Sequence, residues 1–208
     1  MTTARPRVVI VGGGFSGAAV AYHLARRGAP VAITVVEPRP VLGAGLAYST
    51  ADPAHRVNVP VTRMSLDPSD PDHLLRWINE SGAVADDPEA RLPDGRVFPR
   101  RAVIGRYVSA QLRPFVASGR IEHVRDHARG LHRVPGRHGL TLASGRRVEA
   151  DVLVLATSHP PPRPLPSLAG LARGDPRIVT DPWAADALAA IRPEARVLIV
   201  GTGLTMAD

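Results

Sequence analysis

The sequence of 208 residues predicts an α/β fold organised around a parallel sheet, and three observations carry that prediction. An apolar run, a glycine-rich turn and a helical pattern follow one another within residues 7–37. From residue 121 the hydrophobic period changes to two, which is typical of antiparallel strands. A second apolar run with its own glycine turn occupies residues 196–203. These patterns predict a first sheet domain with an antiparallel insertion, followed by the start of a second unit.

The first apolar run, residues 8–11, predicts a strand that is buried on both faces. It leads into Gly12, Gly14 and Gly17, which are spaced as G-x-G-x-x-G. In this motif the first glycine permits a tight turn and the second lets a pyrophosphate approach the backbone. The third glycine lets the following helix pack closely against the strand.

A helix is predicted over residues 15–27, where small and apolar residues recur at helical spacing and Gly28 is placed to end it. A second strand is predicted over residues 31–36, with Glu37 at its carboxyl end. An acidic side chain there can accept hydrogen bonds from a ribose 2′-hydroxyl and would repel a 2′-phosphate. Strand, turn, helix, strand and acid together predict a Rossmann-like dinucleotide-binding unit, not a glycine turn used only for packing.

The composition limits the functional classes. Hydrophobic residues make up 44% of the chain, which is enough for a core, and the absence of cysteine excludes disulfides and thiolate sites. The net charge is +7, and all 26 basic residues are arginines scattered along the chain. This usage is typical of a GC-rich, bacterial coding bias, so we expect no nucleic-acid partner. No metal site is predicted.

The sequence contains no apolar run of about 20 residues, the length that a membrane-spanning helix needs. The opening residues lead directly into the first strand, so no cleavable signal peptide is expected. We therefore expect a cytoplasmic protein that acts on a small molecule. The sequence leaves the oligomeric state open.

Two loops follow the acidic strand end. Pro38 denies a helix, and Gly43 and Gly45 make the loop of residues 38–50 flexible. This loop is expected to lie along a bound nucleotide, or else to be an ordinary surface loop. Asn58 in the next segment can both donate and accept hydrogen bonds, which suits the edge of a flavin ring. Its alternative role is to satisfy loop carbonyl groups.

Two helices and a set of short strands are predicted next. Asp70 is the expected N-cap of a helix that Gly82 ends. A second helix is expected over residues 102–117, with a kink or early end at Pro114. The short strands are predicted at residues 121–124, 128–134, 140–142 and 146–148, and the last three resemble a β-meander. A buried strand over residues 152–157 is expected to complete the first domain.

The remaining sequence predicts a connector and the start of a second unit. A proline-rich stretch at residues 160–166 is followed by a predicted helix over 183–191 and a predicted strand over 196–200. Gly201 and Gly203 then begin a second glycine turn. We place a first nucleotide-binding domain at residues 1–165 and the start of a second one at 166–208, which a family resemblance implies to be the FAD-binding and NAD(P)-binding domains. Because the sequence stops inside this turn, we expect it to be the N-terminal fragment of a longer protein.

The chain resembles the two-dinucleotide-binding flavoproteins of the glutathione-reductase-like class. More narrowly, it resembles a bacterial group of FAD/NAD(P)-binding proteins that includes FAD-dependent urate hydroxylases. The motifs that carry this resemblance are VGGGFSG, LGAGLAYS, NVPVTRMS, DVLVLATSHPPP and VLIVGTGLTMAD. The resemblance covers nearly the whole chain, and its motifs are specific for the cofactor and poor for the substrate.

The resemblance implies FAD and NAD(P)H as cofactors and assigns residues to them. The FAD-binding positions that it implies are Gly12, Gly14, Phe15, Ser16, Gly17, Glu37, Pro38, Gly43, Gly45, Asn58 and Thr157, and Gly201 and Gly203 would begin the NAD(P)H site. Two positions depart from the family pattern. Ser158 stands where relatives have glycine after Ala-Thr, and Met206 stands where the second turn requires a small residue. Both departures put the NAD(P) geometry in doubt and leave FAD binding intact.

The resemblance implies an FAD-dependent oxidoreductase that uses NAD(P)H, with hydroxylation of a small molecule by a flavin monooxygenase as one outcome. No Ser-His-Asp, zinc or Walker pattern is present, and no catalytic side chain is assigned. His55 and His159 lie in loops near the expected cofactor, where a structural role is the simpler interpretation. The alternatives are a non-catalytic FAD/NAD-sensing protein and a one-site NAD-dependent dehydrogenase.

Overall fold

The computed structural model describes residues 5–160, 162–168, 170, 175–184 and 186–201. The chain divides into two units, Met1–Ser158 and His159–Asp208. The elements of the first unit are β1 (Arg7–Val11), α1 (Phe15–Arg26), β2 (Ala32–Val36), α2 (His73–Ser81), α3 (Arg101–Ala117), β3 (Ile121–Val124), β4 (Ala128–Val134), β5 (Arg137–Leu142), β6 (Arg147–Ala150) and β7 (Val152–Leu155). Short 3₁₀ turns lie at Val61–Arg63, Pro88–Ala90 and Pro166–Leu168.

The main sheet has the strand order β3-β2-β1-β7, and all of its pairs are parallel. The register aligns Val11 of β1 with Val36 of β2. Because both strands end at that level, Gly12 and Glu37 follow side by side at the carboxyl edge of the sheet. The predicted α/β class with a parallel sheet is confirmed, and the register explains why its first turn and its acidic residue meet.

The two faces of the sheet are covered by different structures. Alternate residues such as Ile10 and Val35 pack with α1 and α3 in the larger core cluster. Val9 and Val36 point to the other face and pack with Leu140 of the antiparallel sheet β4-β5-β6. The β-meander therefore covers a face that a crossover helix covers in an ordinary doubly wound sheet, as the sequence predicts.

Helix α3 continues through Pro114 to Ala117, the end that the sequence predicts, so the alternative that Pro114 shortens it is wrong. Proline removes one backbone hydrogen bond from a helix. The last turn is retained because Leu112 is buried and Phe115 and Val116 pack against the core on either side of the proline. The inward positions predicted for this helix, Val103, Tyr107 and Leu112, are all buried.

Helix α2 begins at His73, so the prediction of Asp70 as its N-cap is wrong. The Asp70 carboxylate pairs instead with the guanidinium of Arg76, and the backbone N–H of His73 bonds to the Asp70 carbonyl in a preceding turn. The segment offers several aspartates, and the ion pair with Arg76 in the first turn of α2 gives this one a different role. Gly82, with φ +64°, ends the helix as predicted.

The second unit contains turns where the sequence predicts regular elements. Over the described residues of 183–191 the structure has turns, and 196–200 form no strand, so both predictions are wrong. The reason is the lack of neighbours, since no strand among the described residues pairs with 196–200 and the Leu198 side chain is 87% exposed. The boundary at residue 165 and a second nucleotide-binding unit over 166–208 stay predictions.

Among the described residues, no helix combines the length and apolarity that crossing a membrane requires. Within the same part of the chain, no group of three or more histidine, aspartate or glutamate side chains is placed to hold a metal ion.

Candidate functional site

The turn between β1 and α1 requires glycine at two of its three motif positions. Gly12 has φ +98°, and a Cβ added to it would overlap the carbonyl oxygen of Ala156. A Cβ added to Gly17 would overlap the carbonyl oxygen of Gly12. The strand, the turn and the helix can approach one another this closely only without side chains. This is the packing that the G-x-G-x-x-G spacing predicts.

Glu37 is attached to the same turn. Its side chain is buried, and its Oε2 accepts a hydrogen bond from the backbone N–H of Gly13 at 2.8 Å. Its Oε1 accepts bonds from the backbone N–H and from Nη1 of Arg39, at 3.0 Å and 3.1 Å. A carboxylate has about four acceptor positions, so capacity for one further donor remains. The acid therefore lies at the turn, as expected, and an arginine covers it.

The N-terminus of α1 leaves donors unpaired. The backbone N–H groups of Gly14, Phe15 and Ser16 have no acceptor among the described residues. Ser16 is exposed, and Gly14 and Phe15 are partly exposed. The first turn of α1 carries no acidic residue, and its N-cap, Gly14, has no side chain to cap it. Unpaired amides at the positive end of a helix dipole are a suitable environment for a phosphate group.

The loop after β2 packs directly on the turn. The backbone N–H of Gly43 donates to the Gly13 carbonyl at 2.7 Å. Gly45 lies against Gly14, and a Cβ added to Gly45 would come within 2.7 Å of the Gly14 Cα. Both loop glycines have positive φ angles, +113° and +55°. The structure therefore brings these two predicted positions to the glycine turn, while Pro38 is exposed beside Glu37.

Two other predicted positions differ in their placement. The backbone nitrogen of Thr157 lies 3.4 Å from the place that a Gly12 Cβ would occupy, so Thr157 is at the turn. Asn58 is exposed, and no contact of the described residues joins it to the turn. Its segment is fixed elsewhere, through a hydrogen bond from the Val57 N–H to the Pro99 carbonyl and an ion pair between Arg56 and Asp87.

The second predicted glycine turn has a different environment. Gly201 has φ +119° and is exposed, and no atom of the described residues lies within 4 Å of a Cβ added to it. Gly203 lies outside the described residues. Ser158, which stands where relatives have glycine, adopts φ +66°, a conformation that costs a residue with a Cβ about 1–2 kcal/mol.

The sequence interpretation missed Arg39 and Leu42 at this site. Arg39 pairs with Glu37. The Leu42 side chain packs on the turn, because a Cβ added to Gly13 would lie 2.5 Å from the Leu42 Cδ2 atom. The available signal was the position of a basic residue two places after the acid at the strand end. Flanking prolines made this arginine look like part of a solvated loop.

A model of the FAD-NAD(P)-binding family matches residues 9–160 of the chain. No curated protein matches the sequence. The structure resembles that of OTEMO in complex with FAD and NADP, at 14% identity and a TM-score of 0.50, with 79% of this chain and 27% of that chain covered. It also resembles a flavin-containing monooxygenase from Stenotrophomonas maltophilia, at 16% identity and a TM-score of 0.48, with 77% and 42% covered.

A third similar structure is the Diels-Alderase PyrE3 of pyrroindomycin biosynthesis, at 18% identity and a TM-score of 0.47, with 74% of this chain and 32% of that chain covered. The chain thus spans less than half the length of each of these solved structures. At such identities the likeness shows the fold alone.

Proposed function

This chain belongs to the FAD-NAD(P)-binding family, and from that premise we propose that it is the FAD-holding part of an oxidoreductase that takes electrons from NAD(P)H. Membership confirms the predicted cofactor class, FAD with NAD(P)H. The finer proposal is a flavin monooxygenase that hydroxylates a small molecule in the bacterial cytoplasm, where NAD(P)H is supplied. The hydrogen bond between Gly13 and Glu37, beside three unpaired amides, is the observation that supports nucleotide binding at this turn.

The residues of the turn fit the adenosine diphosphate half of FAD. The N–H groups of Gly14, Phe15 and Ser16 would bind the pyrophosphate, because they are unpaired and lie at the N-terminus of α1. Gly12 and Gly17 contribute by having no side chains, which lets the strand, the turn and the helix pack closely enough to hold these amides in place. The glycine at position 14 is also where relatives of this fold bring the pyrophosphate closest to the chain.

Glu37 would bind the ribose hydroxyl groups. Its Oε2 is held by the Gly13 N–H and has one acceptor position left, while Arg39 donates both of its hydrogen bonds to Oε1. The Arg39 side chain is 43% exposed, so its guanidinium can move aside or share the carboxylate with the ribose at a small cost. Gly43 and Gly45 close the loop over the other side of the turn, and Pro38 begins that loop. Thr157 lies at the end of β7 beside the same turn.

When bound, FAD supplies the hydride chemistry, accepting a hydride from NAD(P)H and passing electrons on. The turn residues would bind and orient the nucleotide, and Asn58 would serve as a donor and acceptor for the ring. Gly201 and Gly203 are proposed to begin the NAD(P)H site.

A nucleotide competition tests the proposal. The 208-residue chain is titrated with FAD, FMN, NAD⁺ and NADP⁺ by isothermal calorimetry, and we expect FAD to bind and FMN, which lacks the adenylate, to bind at least about tenfold more weakly. Equal binding of FAD and FMN would contradict the assignment of the turn. Tight binding of NAD⁺ without FAD would favour a one-site dehydrogenase.

A turnover measurement separates the enzyme from a sensor. NAD(P)H oxidation is followed with the FAD-loaded full-length protein and with free FAD at the same concentration, because this chain, as the FAD-holding part alone, is expected to be inactive. Oxidation above the free-flavin rate supports an oxidoreductase. A rate equal to that of free FAD, together with tight FAD binding, would favour the non-catalytic nucleotide-sensing protein.

A further inference from the structure

A cleft of about 520 Å³ lies between the loop after β2, the end of α2 and one face of α3. Its volume is within the usual range for small-molecule sites. Most of its surface is apolar, and its aromatic members are Tyr48 and Trp77. Two arginines of α3, Arg106 and Arg113, also line it.

The cleft is distinct from the glycine turn, although one loop serves both. Gly43 and Gly45 of that loop contact the turn, whereas Val41 and Tyr48 line the cleft. The loop lies close to α3 because Gly105 has no side chain, since a Cβ there would come within 2.6 Å of the Tyr48 carbonyl oxygen. No residue of the G-x-G-x-x-G motif lines the cleft, so a ligand there would not compete with the nucleotide for the same atoms.

The polar groups of the cleft favour an anion. Arg106 and Arg113 are seven residues apart on α3, which places them on one face about 10 Å apart along the axis. Arg106 donates a hydrogen bond to the Ala83 carbonyl at 3.0 Å, which fixes its guanidinium at one end of the cleft. Arg113 is exposed and has no ion-pair partner among the described residues. No carboxylate lines the cleft, so nothing there neutralises the two guanidinium groups.

The aromatic groups of the cleft favour a flat apolar body on the same ligand. Burial raises the pKa of the Tyr48 hydroxyl, so the ring stays uncharged at neutral pH. The Tyr48 ring meets Phe15 edge to face, with 5.8 Å between centroids, and Trp77 packs against the buried Tyr107 at 5.5 Å. Both aromatic walls are therefore held by rings behind them, and rigid aromatic walls bind flat apolar groups at a low entropy cost.

We propose that this cleft binds a small organic acid with an aromatic body, which contacts Tyr48 and Trp77 while its carboxylate pairs with Arg113. Charge-assisted pairing of an arginine with a carboxylate supplies the selectivity for an acid over its neutral amide. The proposal does not depend on the nucleotide, because every residue that lines the cleft lies outside the glycine turn. Its failure is therefore distinguishable from a failure to bind FAD.

The test compares 2-naphthoate with its neutral isostere 2-naphthamide on the nucleotide-free 208-residue chain. Trp77 and Trp183 are the two tryptophans of the sequence, so an amide–nitrogen correlation spectrum shows two indole N–H signals, which a Trp183→Phe variant assigns. We expect 2-naphthoate to shift the Trp77 signal in a saturable way and 2-naphthamide to bind about tenfold more weakly. Equal affinities, or no shift of the Trp77 signal, would overturn the proposal.

Two variants and a matched control locate the site. Arg113→Gln is expected to abolish the preference for the acid, whereas Arg133→Gln, which removes an exposed arginine of β4, is expected to preserve it. Ala110→Phe, which fills the cleft, is expected to weaken both ligands. An acid preference that persists in the Arg113 variant, or affinities unchanged by the Ala110 variant, would contradict the assignment. The comparison of the two ligands on the parent chain tests the proposal even if none of the variants folds.

Discussion

Two stretches of this chain share one local pattern and have opposite environments. Residues 8–14 and residues 197–203 each combine an apolar run with a G-x-G turn. In the first, Val9 is fully buried between two neighbouring strands, whereas in the second Leu198 is 87% exposed. Gly12 and Gly201 both have positive φ angles, +98° and +119°, but only Gly12 is in contact with a neighbouring strand end.

The difference teaches that glycines allow the chain to form a tight turn but do not by themselves make that turn a binding site. The first turn becomes a candidate site because β2 and β7 flank it and because Glu37 accepts a hydrogen bond from Gly13. None of these supports exists at Gly201 among the described residues. Paired substitutions in the two stretches measure how much the supports contribute.

The largest difference is expected from alanine at a packed and at an unpacked glycine. Gly17→Ala places a Cβ on the carbonyl oxygen of Gly12, so we expect a loss of about 3 kcal/mol in the free energy of unfolding. Gly201→Ala is expected to cost less than about 1 kcal/mol, because an exposed segment can change its φ angle. Urea unfolding followed by circular dichroism measures both. A Gly17 variant as stable as the parent chain would show that the turn is less tightly packed than described.

The next effect separates the charge of Glu37 from its acceptor oxygen. Glu37→Ala leaves the N–H of Gly13 buried without a partner, with an expected loss of about 2 kcal/mol in the free energy of unfolding. Glu37→Gln keeps an acceptor for Gly13 and is expected to retain most of that stability, while weakening FAD by about tenfold. Glu194→Ala is the control in the exposed stretch and is expected to change neither quantity. Calorimetric FAD titration and urea unfolding give the two readouts, and a Gln variant with unchanged FAD affinity would remove Glu37 from the proposed ribose site.

A smaller gain is expected at the residue that relatives replace with glycine. Ser158 has φ +66°, and Ser158→Gly is expected to raise the free energy of unfolding by about 1 kcal/mol by relieving this strain. Asp186 has φ +59° in the second unit, and aspartate tolerates this conformation better. Asp186→Gly is therefore expected to leave the urea midpoint unchanged. A lower midpoint for the Ser158 variant would mean that the interactions of its side chain outweigh the backbone strain.

The smallest effect concerns acid stability. Hydrogen bonds from Ser69 and Arg26 lower the pKa of Asp67 from 3.8 to about 2, and those from Arg177 lower the pKa of Asp175 to about 2. A carboxyl with a depressed pKa in the folded state adds stability above its ordinary pKa, and this is lost as the pH falls toward 2. Asp67 joins α1 to a distant loop, whereas Asp175 bonds two residues away in sequence.

Of these two aspartates, only Asp67 is therefore expected to affect how the melting temperature changes in acid. Asp67→Asn should flatten the decline of the melting temperature between pH 4 and pH 2, while Asp175→Asn should follow the parent chain. Thermal melts at intervals of half a pH unit measure this. Parallel curves for the parent chain and the Asp67 variant would show that the ion pair across α1 contributes nothing in acid.

The elements that the sequence predicts well are those where local and non-local signals agree. The unit β1-α1-β2 combines apolar runs, glycine spacing and a terminal acid, and the family match is consistent with it. The meander is equally visible, because alternation and turn residues coincide in β4, β5 and β6. In these segments each strand pairs with the next strand along the chain, so the local sequence pattern is enough to predict the pairing.

The elements that the sequence predicts wrongly depend on choices made elsewhere in the chain. Residues 196–200 are apolar enough for a buried strand, but pairing requires neighbours that their own composition does not specify. Asp70 matches the pattern of an N-cap, but its carboxylate forms an ion pair with Arg76 instead of capping α2. Arg39 looks like a solvated loop residue, and its contact with Glu37 depends on how the loop folds back.

The hydrogen bond between Gly13 and Glu37 has a thermodynamic consequence for ligand binding. Because folding already orders this carboxylate, a nucleotide that binds it loses no side-chain entropy there, and the site is preorganised. Since the carboxylate and the amides meet only in the folded sheet, the unfolded chain offers no comparable site. A nucleotide at 100 times its dissociation constant would then protect this sheet against unfolding by about 2.7 kcal/mol through mass action alone.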